Sequence, residues 1–143
     1  MQRVRITFRG LRRIEELRDL FRRDRILEQF GVLLDVRYFR RDLQEAINRS
    51  SDVGVSVIYA DMDNFKPIND KYGHDAGDVV MKSYLEVVRD HVADFGTSYR
   101  ALGDETLALI VGQQDKAVLG IAEAIRGGVE ELRAATKGRS CLR

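Results

Sequence analysis

Two short acidic clusters stand where the chain should turn sharply. Asp61 and Asp63 follow an apolar run over residues 53–60, and Asp104 and Glu105 sit in Leu102-Gly103-Asp104-Glu105. Carboxylates gathered at the end of an apolar strand are costly unless a cation neutralises them. Hard divalent ions such as Mg²⁺ take one or two carboxylates plus phosphate oxygens and water. A pair of such ions about 4 Å apart activates a hydroxyl nucleophile and stabilises a pyrophosphate leaving group. Taken alone, Asp104-Glu105 reads as an ordinary Gly-Asp turn; the second acidic cluster shifts the reading toward chemistry. His74 reads as a residue that orders a loop rather than a general base, since nothing places it on a reacting group. His91 reads as a helix-end residue, and Tyr59, Tyr72 and Tyr84 as core.

Those acids need strands to bring them together. Residues 53–60 have the near-continuous apolar character of a central strand covered on both faces. Residues 97–101 and 106–111 read as a hairpin whose tip is the turn 102–105. In a split βαβ sheet these strands are neighbours, so the two clusters can converge. Ile68 to His91 has helical spacing, with a break predicted where Gly73 and Gly77 fall. Upstream, Tyr38, Phe39, Leu43, Ala46 and Ile47 form one helix face. Val4, Ile6 and Phe8 alternate with Arg5, Thr7 and Arg9 as a half-buried strand, followed from Leu11 by a helix with a solvated Arg/Glu face. Residues 115–132 close the pattern as an amphipathic helix capped by Asp115. The order β-α-α-β-α-β-β-α contains a split βαβ core, an α+β, ferredoxin-like antiparallel sheet with helices.

The run Asp61-Met62-Asp63-Asn64-Phe65-Lys66-Pro67-Ile68-Asn69-Asp70-Lys71-Tyr72-Gly73-His74-Asp75-Ala76-Gly77-Asp78 resembles the D-x-D-x-F-K-x-I-N-D-x-x-G-H-x-x-G-D signature of GGDEF domains, the diguanylate cyclases. Arg100-Ala101-Leu102-Gly103-Asp104-Glu105-Thr106 resembles their R-x-G-G-D-E-F signature. Together the resemblance covers about residues 35–132 and extends to the palm superfamily shared with CRISPR polymerase subunits.

The resemblance implies a role for each matching residue. Asp61 and Asp104 would hold Mg²⁺ or Mn²⁺, with the Met62 carbonyl as a further ligand. Glu105 would assist metal binding or deprotonate the attacking hydroxyl. Asn69 and Asp78 would read the guanine edge, an amide and a carboxylate suited to its acceptors and donors. The turn holding Asn64, Phe65 and Lys66 would face the phosphates through its N–H groups. Pro67 would sit in a first helical turn, where its missing N–H costs nothing. The implied activity joins two nucleoside triphosphates, GTP first and ATP second, into a cyclic dinucleotide across a homodimer. The alternatives are a stand-alone CRISPR polymerase-like cyclase with an adenine product and a catalytically degenerate nucleotide- or protein-binding module.

Several departures qualify the match. Leu102 replaces the first glycine of the tip, where glycine permits positive φ and close approach. Thr106 replaces the usual phenylalanine. In the lead-in segment 30–39, Leu33, Arg37 and Phe39 align with the family pattern, but Asp35 and Val36 do not. The family's usual closing strand and helix have no counterpart after residue 132. Residues 4–8 resemble that strand moved to the front, expected to pair beside the 53–60 strand. The upstream R-x-x-D product-inhibition motif is absent, its positions being Ala93 and Gly96.

Composition sets the outer bounds. The chain has 143 residues and a formal charge of +1. That length suits a single domain, divided as an N-terminal extension (1–30), a core (31–132) and a basic tail (133–143). Near-neutral charge argues against binding polymeric nucleic acid by bulk attraction. Residues 1–50 nonetheless carry 13 arginines against 8 acids. The single Cys141 excludes a disulfide framework or Cys-rich zinc site. No apolar run approaches the roughly 20 residues of a membrane span, and residues 1–10 lack a signal peptide's apolar core. A cytoplasmic location without membrane contact is expected.

Overall fold

The computed structural model describes residues 25–50 and 53–140, with side chains described through residue 135. The expected strand at residues 4–8, most of the helix expected from Leu11 and Cys141 therefore lie outside the described residues. The elements are β1 (Leu34–Asp35), a 3₁₀ turn (Val36–Tyr38), α1 (Phe39–Arg49), β2 (Val55–Asp61), α2 (Phe65–Tyr72), α3 (His74–Val92), β3 (Gly96–Arg100), β4 (Glu105–Val111) and α4 (Asp115–Ser140).

The strands form one sheet in the order β1-β3-β4-β2. Alternating side chains give it two apolar faces. On one face, Ile58, Ala108 and Ile110 meet Met81, Tyr84, Leu85 and Val88 of α3 and Ile121 and Ile125 of α4. On the other, Leu34, Tyr99, Leu109 and Val111 meet Ala46 of α1, with Tyr38, Phe39 and Leu43 packed at its margin. The α+β reading with helices against a split βαβ sheet holds. The sheet is mixed rather than wholly antiparallel, because β1 pairs in parallel with β3. Long connections rather than a hairpin separate those two strands, which leaves parallel pairing open to them.

Several local expectations are corrected. Among the described residues β2 pairs with β4 alone, and the pairing expected for residues 4–8 beside it falls outside them. Val57 lies opposite Leu109, on the face that α1 covers, yet is 43% exposed, and Tyr59 is 58% exposed. The unbroken apolar run hid an alternation, because Val57 and Tyr59 are apolar in type but not covered. Tyr72 and Ile47 are exposed as well, so of Tyr59, Tyr72 and Tyr84 only Tyr84 is core. The last helix runs to Ser140, beyond residue 132. The predicted break falls at Gly73, whose φ of 84° ends α2 and starts α3.

A buried polar anchor ties α1 to the sheet. Asp42 pairs with Arg25 and accepts the Tyr99 hydroxyl at 2.8 Å. Arg25 also lies over the Tyr38 ring, 4.9 Å from its centre. Burial, followed by the bond to Asp42, raises the Tyr99 phenol well above its ordinary range.

Candidate functional site

The register of β2 and β4 decides where the acids meet. Asp61, the last residue of β2, is directly opposite Glu105, the first of β4. Opposed residues of an antiparallel pair have Cβ atoms roughly 5 Å apart on the same face. Asp104 precedes Glu105 in the tip. Tyr59 lies two residues before Asp61 on that face, and its hydroxyl donates to the Glu105 carboxylate. That bond, then desolvation and the negative field of Glu105, Asp61 and Asp104, pushes the Tyr59 phenol up to about 12. On the opposite face, burial raises the Tyr84 phenol, and the field of Asp61 and Asp104 adds to it. Both phenols thus lie within the field of Asp61 and Asp104.

The hairpin tip is tight. Glu105 N–H donates to the Leu102 carbonyl at 3.0 Å, and Gly103 takes φ 61°. A left-handed glycine at the first central position is the pattern of a II′ turn, whose twist suits a hairpin. Leu102 does not share that conformation. The expected backbone conflict at Leu102 does not arise, and its side chain, 80% exposed, points away from the packed core. Thr106 is buried, and its hydroxyl meets Tyr84 Oη at 2.9 Å and donates to the Ala60 carbonyl at 3.4 Å. Two hydroxyls thus satisfy each other beside the residue that precedes Asp61.

Arg100 holds the tip from beneath. Its Nε donates to the Gly103 carbonyl at 2.9 Å, its Nη1 reaches Glu28 at 3.2 Å, and its guanidinium lies over the Phe30 ring at 4.9 Å. Glu28 is itself buried and accepts the Phe30 and Val32 N–H groups, each at 2.9 Å. Gly31, with φ 70°, closes this small turn. Sequence reasoning missed Glu28, Tyr59 and the supporting role of Arg100. A glutamate three residues before the turn glycine, in the segment matched only loosely, was the available signal.

Beyond Asp61 the chain turns at once. The Met62 side chain is buried in the α3/α4 core, which fixes the backbone on either side of it. Asn64 has φ 64°, a conformation that Asn tolerates better than most residues. Its side chain makes no capping bond to α2, leaving the first N–H groups of that helix, at Phe65 and Lys66, open to an outside acceptor. Phe65 packs its ring on the core, Lys66 is exposed, and Pro67 falls in the first turn as expected. Asn69 lies in the last turn of α2 and Asp78 in the early part of α3, exposed, across the Gly73 bend. His74 is the exposed first residue of α3.

The donor set suits a hard cation. Asp61, Asp104 and the Met62 carbonyl are oxygen donors, and among the described residues no Lys or Arg ion-pairs with Asp61, Asp104 or Glu105. Among them, no three His, Cys, Asp or Glu side chains are grouped so that they could hold a metal ion by themselves. An open oxygen site fits an ion that keeps waters and takes substrate phosphate oxygens, as Mg²⁺ and Mn²⁺ do. Among the described residues no helix is long and apolar enough to cross a membrane.

The chain is similar to known proteins in sequence and fold. Residues 29–140 match the family model described as diguanylate cyclase, GGDEF domain. Over 77 residues the chain is 35% identical to diguanylate cyclase DgcS of Shewanella oneidensis, covering 52% of this chain and 26% of that protein. Over 123 residues it is 32% identical to diguanylate cyclase DosC of Escherichia coli K12, covering 80% of this chain and 26% of that one. The chain thus spans about a quarter of the length of these curated relatives. Among solved structures, the GGDEF domain of DgcB from Caulobacter crescentus, in complex with c-di-GMP, superposes with a TM-score of 0.67 at 25% identity, covering 73% of this chain and 63% of that one.

Proposed function

This chain belongs to the diguanylate cyclase GGDEF family, and from that membership we propose that it is a metal-dependent nucleotidyl cyclase that makes cyclic di-GMP from two GTP molecules. One observation carries the proposal: Asp61 and Glu105 face each other across β2 and β4, with Asp104 in the adjoining turn. The relatives named diguanylate cyclase support the same reaction class.

In this reading Asp61, Asp104 and the Met62 carbonyl hold Mg²⁺ or Mn²⁺. The bound ion supplies charge neutralisation at the phosphates and lowers the pKa of an attacking hydroxyl. The open N–H groups of Phe65 and Lys66, with the turn at Asn64, receive phosphate oxygens, and the Lys66 ammonium adds charge. Asn69 and Asp78 pair with the guanine edge. Glu105, held by the Tyr59 hydroxyl, accepts the proton of the 3′-hydroxyl as that oxygen bonds to the α-phosphorus of the second nucleotide. The bond from that phosphorus to pyrophosphate breaks, and pyrophosphate leaves with its electron pair. Repeating the step with the roles exchanged closes the ring. Each site holds one nucleotide, so two protomers must face each other as a homodimer. The unstrained backbone at Leu102 supports an active hairpin over a degenerate one.

Incubating the purified chain with GTP or ATP, each with Mg²⁺ or Mn²⁺, and identifying products by mass spectrometry tests this. The expected result is cyclic di-GMP and pyrophosphate from GTP alone. An adenine-containing product would transfer the assignment to the CRISPR polymerase-like alternative. No product, with Asp61→Ala binding GTP as well as the unaltered chain, would overturn the enzyme reading in favour of a binding module.

A further inference from the structure

We infer that Gly77 is a specificity-determining positioning residue, because the space left by its absent side chain is where the Asn69 amide rests. A Cβ built on Gly77 would lie 1.7 Å from Asn69 Oδ1 and 2.8 Å from Asn69 Cγ. No real atoms approach so closely, so the Asn69 amide lies against the bare backbone of α3. The rest of Asn69 is held as well. Its carbonyl accepts the Gly73 N–H at 2.9 Å, and the Gly73 carbonyl accepts the Gly77 N–H at 3.2 Å. Gly73, with φ 84°, turns the chain between them. Asn69 is thus pinned through its backbone by one glycine and through its side chain by the other. Asp78, the second residue assigned to the base, follows Gly77 directly. The two base-reading groups come from different helices, and Gly77 is the point where those helices bring them together.

This inference rests on the reading that Asn69 contacts the base, and it predicts a distinctive outcome for Gly77→Ala. The atom in the way is the far end of a side chain, not backbone. A methyl group at this position drives the Asn69 amide into another staggered rotamer rather than unfolding the helix. Alanine also has the higher helix propensity, so the helix itself gains. The variant should therefore keep its fold and lose base selection, since recognition depends on groups held within a fraction of an ångström.

The test measures binding by calorimetry with 3′-deoxy-GTP and 3′-deoxy-ATP plus Mg²⁺, ligands that lack the attacking hydroxyl. The proteins are the unaltered chain, Asn69→Ala, Gly77→Ala and the double variant, each with its thermal midpoint. The expected result is a guanine preference that falls about tenfold in either single variant, the scale of one lost hydrogen bond. The double variant should fall no further, because both changes remove the same contact. Unchanged preference in Asn69→Ala would refute the base-contact reading itself. A loss in Asn69→Ala with full preference in Gly77→Ala, or additive losses in the double variant, would overturn the role of Gly77 while leaving that reading intact. Should Gly77→Ala lower the thermal midpoint, Asn69→Ser in the same chain must restore it; failure to restore it would also overturn the inference.

Discussion

Gly103 alone supplies the left-handed backbone of the hairpin tip, and Leu102 beside it sits in ordinary backbone space. The two positions should therefore respond unequally to substitution. Gly103→Ala forces a side chain into the left-handed region and should lower stability by roughly 1–2 kcal/mol. Leu102→Gly should change it by less than about 1 kcal/mol, through unfolded-state entropy alone. Urea unfolding of both variants checks this, and equal effects would mean that the turn is built differently. At the same scale, Thr106 shows why a substitution read from a motif can be milder than it looks. Its hydroxyl is matched by Tyr84 at 2.9 Å, so a polar group at a buried position is satisfied rather than stranded.

Two elements brace the site from below. The turn around Gly31 holds Glu28, which receives backbone N–H groups from its own turn and Arg100 from the end of β3. Glu28→Ala strands a partly buried guanidinium and several N–H groups, and should cost about 3 kcal/mol in urea unfolding. Glu28→Gln, which keeps the acceptor oxygen, should cost clearly less. In β3, a Cβ on Gly96 would lie 1.9 Å from the Leu109 carbonyl oxygen. That obstacle is backbone and cannot rotate away, so Gly96→Ala should destabilise by about 3 kcal/mol, in contrast to Gly77→Ala.

The same elements mark what the sequence could reveal. The β2–turn–α2 passage and the hairpin were legible because each requires particular residue types: acids at strand ends, glycine in left-handed turns, Pro67 in a first turn. Glu28 was not legible, since a lone glutamate in a loosely matched segment carries no period and no spacing rule. Tyr59 and Val57 were misread as core because residue type records what can be buried, while coverage depends on what packs over the strand. The Asn69–Gly77 contact joins two helices across a bend, and no pattern along one helix encodes it.

At the scale of the whole molecule, three phenols report on the fold and on the site. Tyr84 and Tyr99 are raised mainly by burial, and Tyr59 mainly by its bond to Glu105. In the unfolded chain tyrosines ionise near pH 10. A phenol whose folded pKa is raised contributes stability that is complete below that value and lost as pH rises through the folded one. Stability should therefore be flat on this account up to about pH 10 and fall above it. Tyr99→Phe should reduce that alkaline fall, as read by thermal midpoints between pH 8 and 11.5. A steeper fall in the variant would contradict the assignment.

The whole architecture serves to hold Asp61, Asp104 and Glu105 at one end of a sheet whose two faces are packed separately. If that end is the reacting centre, a change of one atom type there must stop chemistry without disturbing the fold. The most direct measurement is cyclic di-GMP formation from GTP and Mg²⁺ by the unaltered chain and by Glu105→Gln, with thermal midpoints for both. Product is expected from the unaltered chain, and at least a hundredfold less from the variant at a closely similar midpoint, the scale of losing a general base. Equal product from the two proteins would contradict that role for the sheet end.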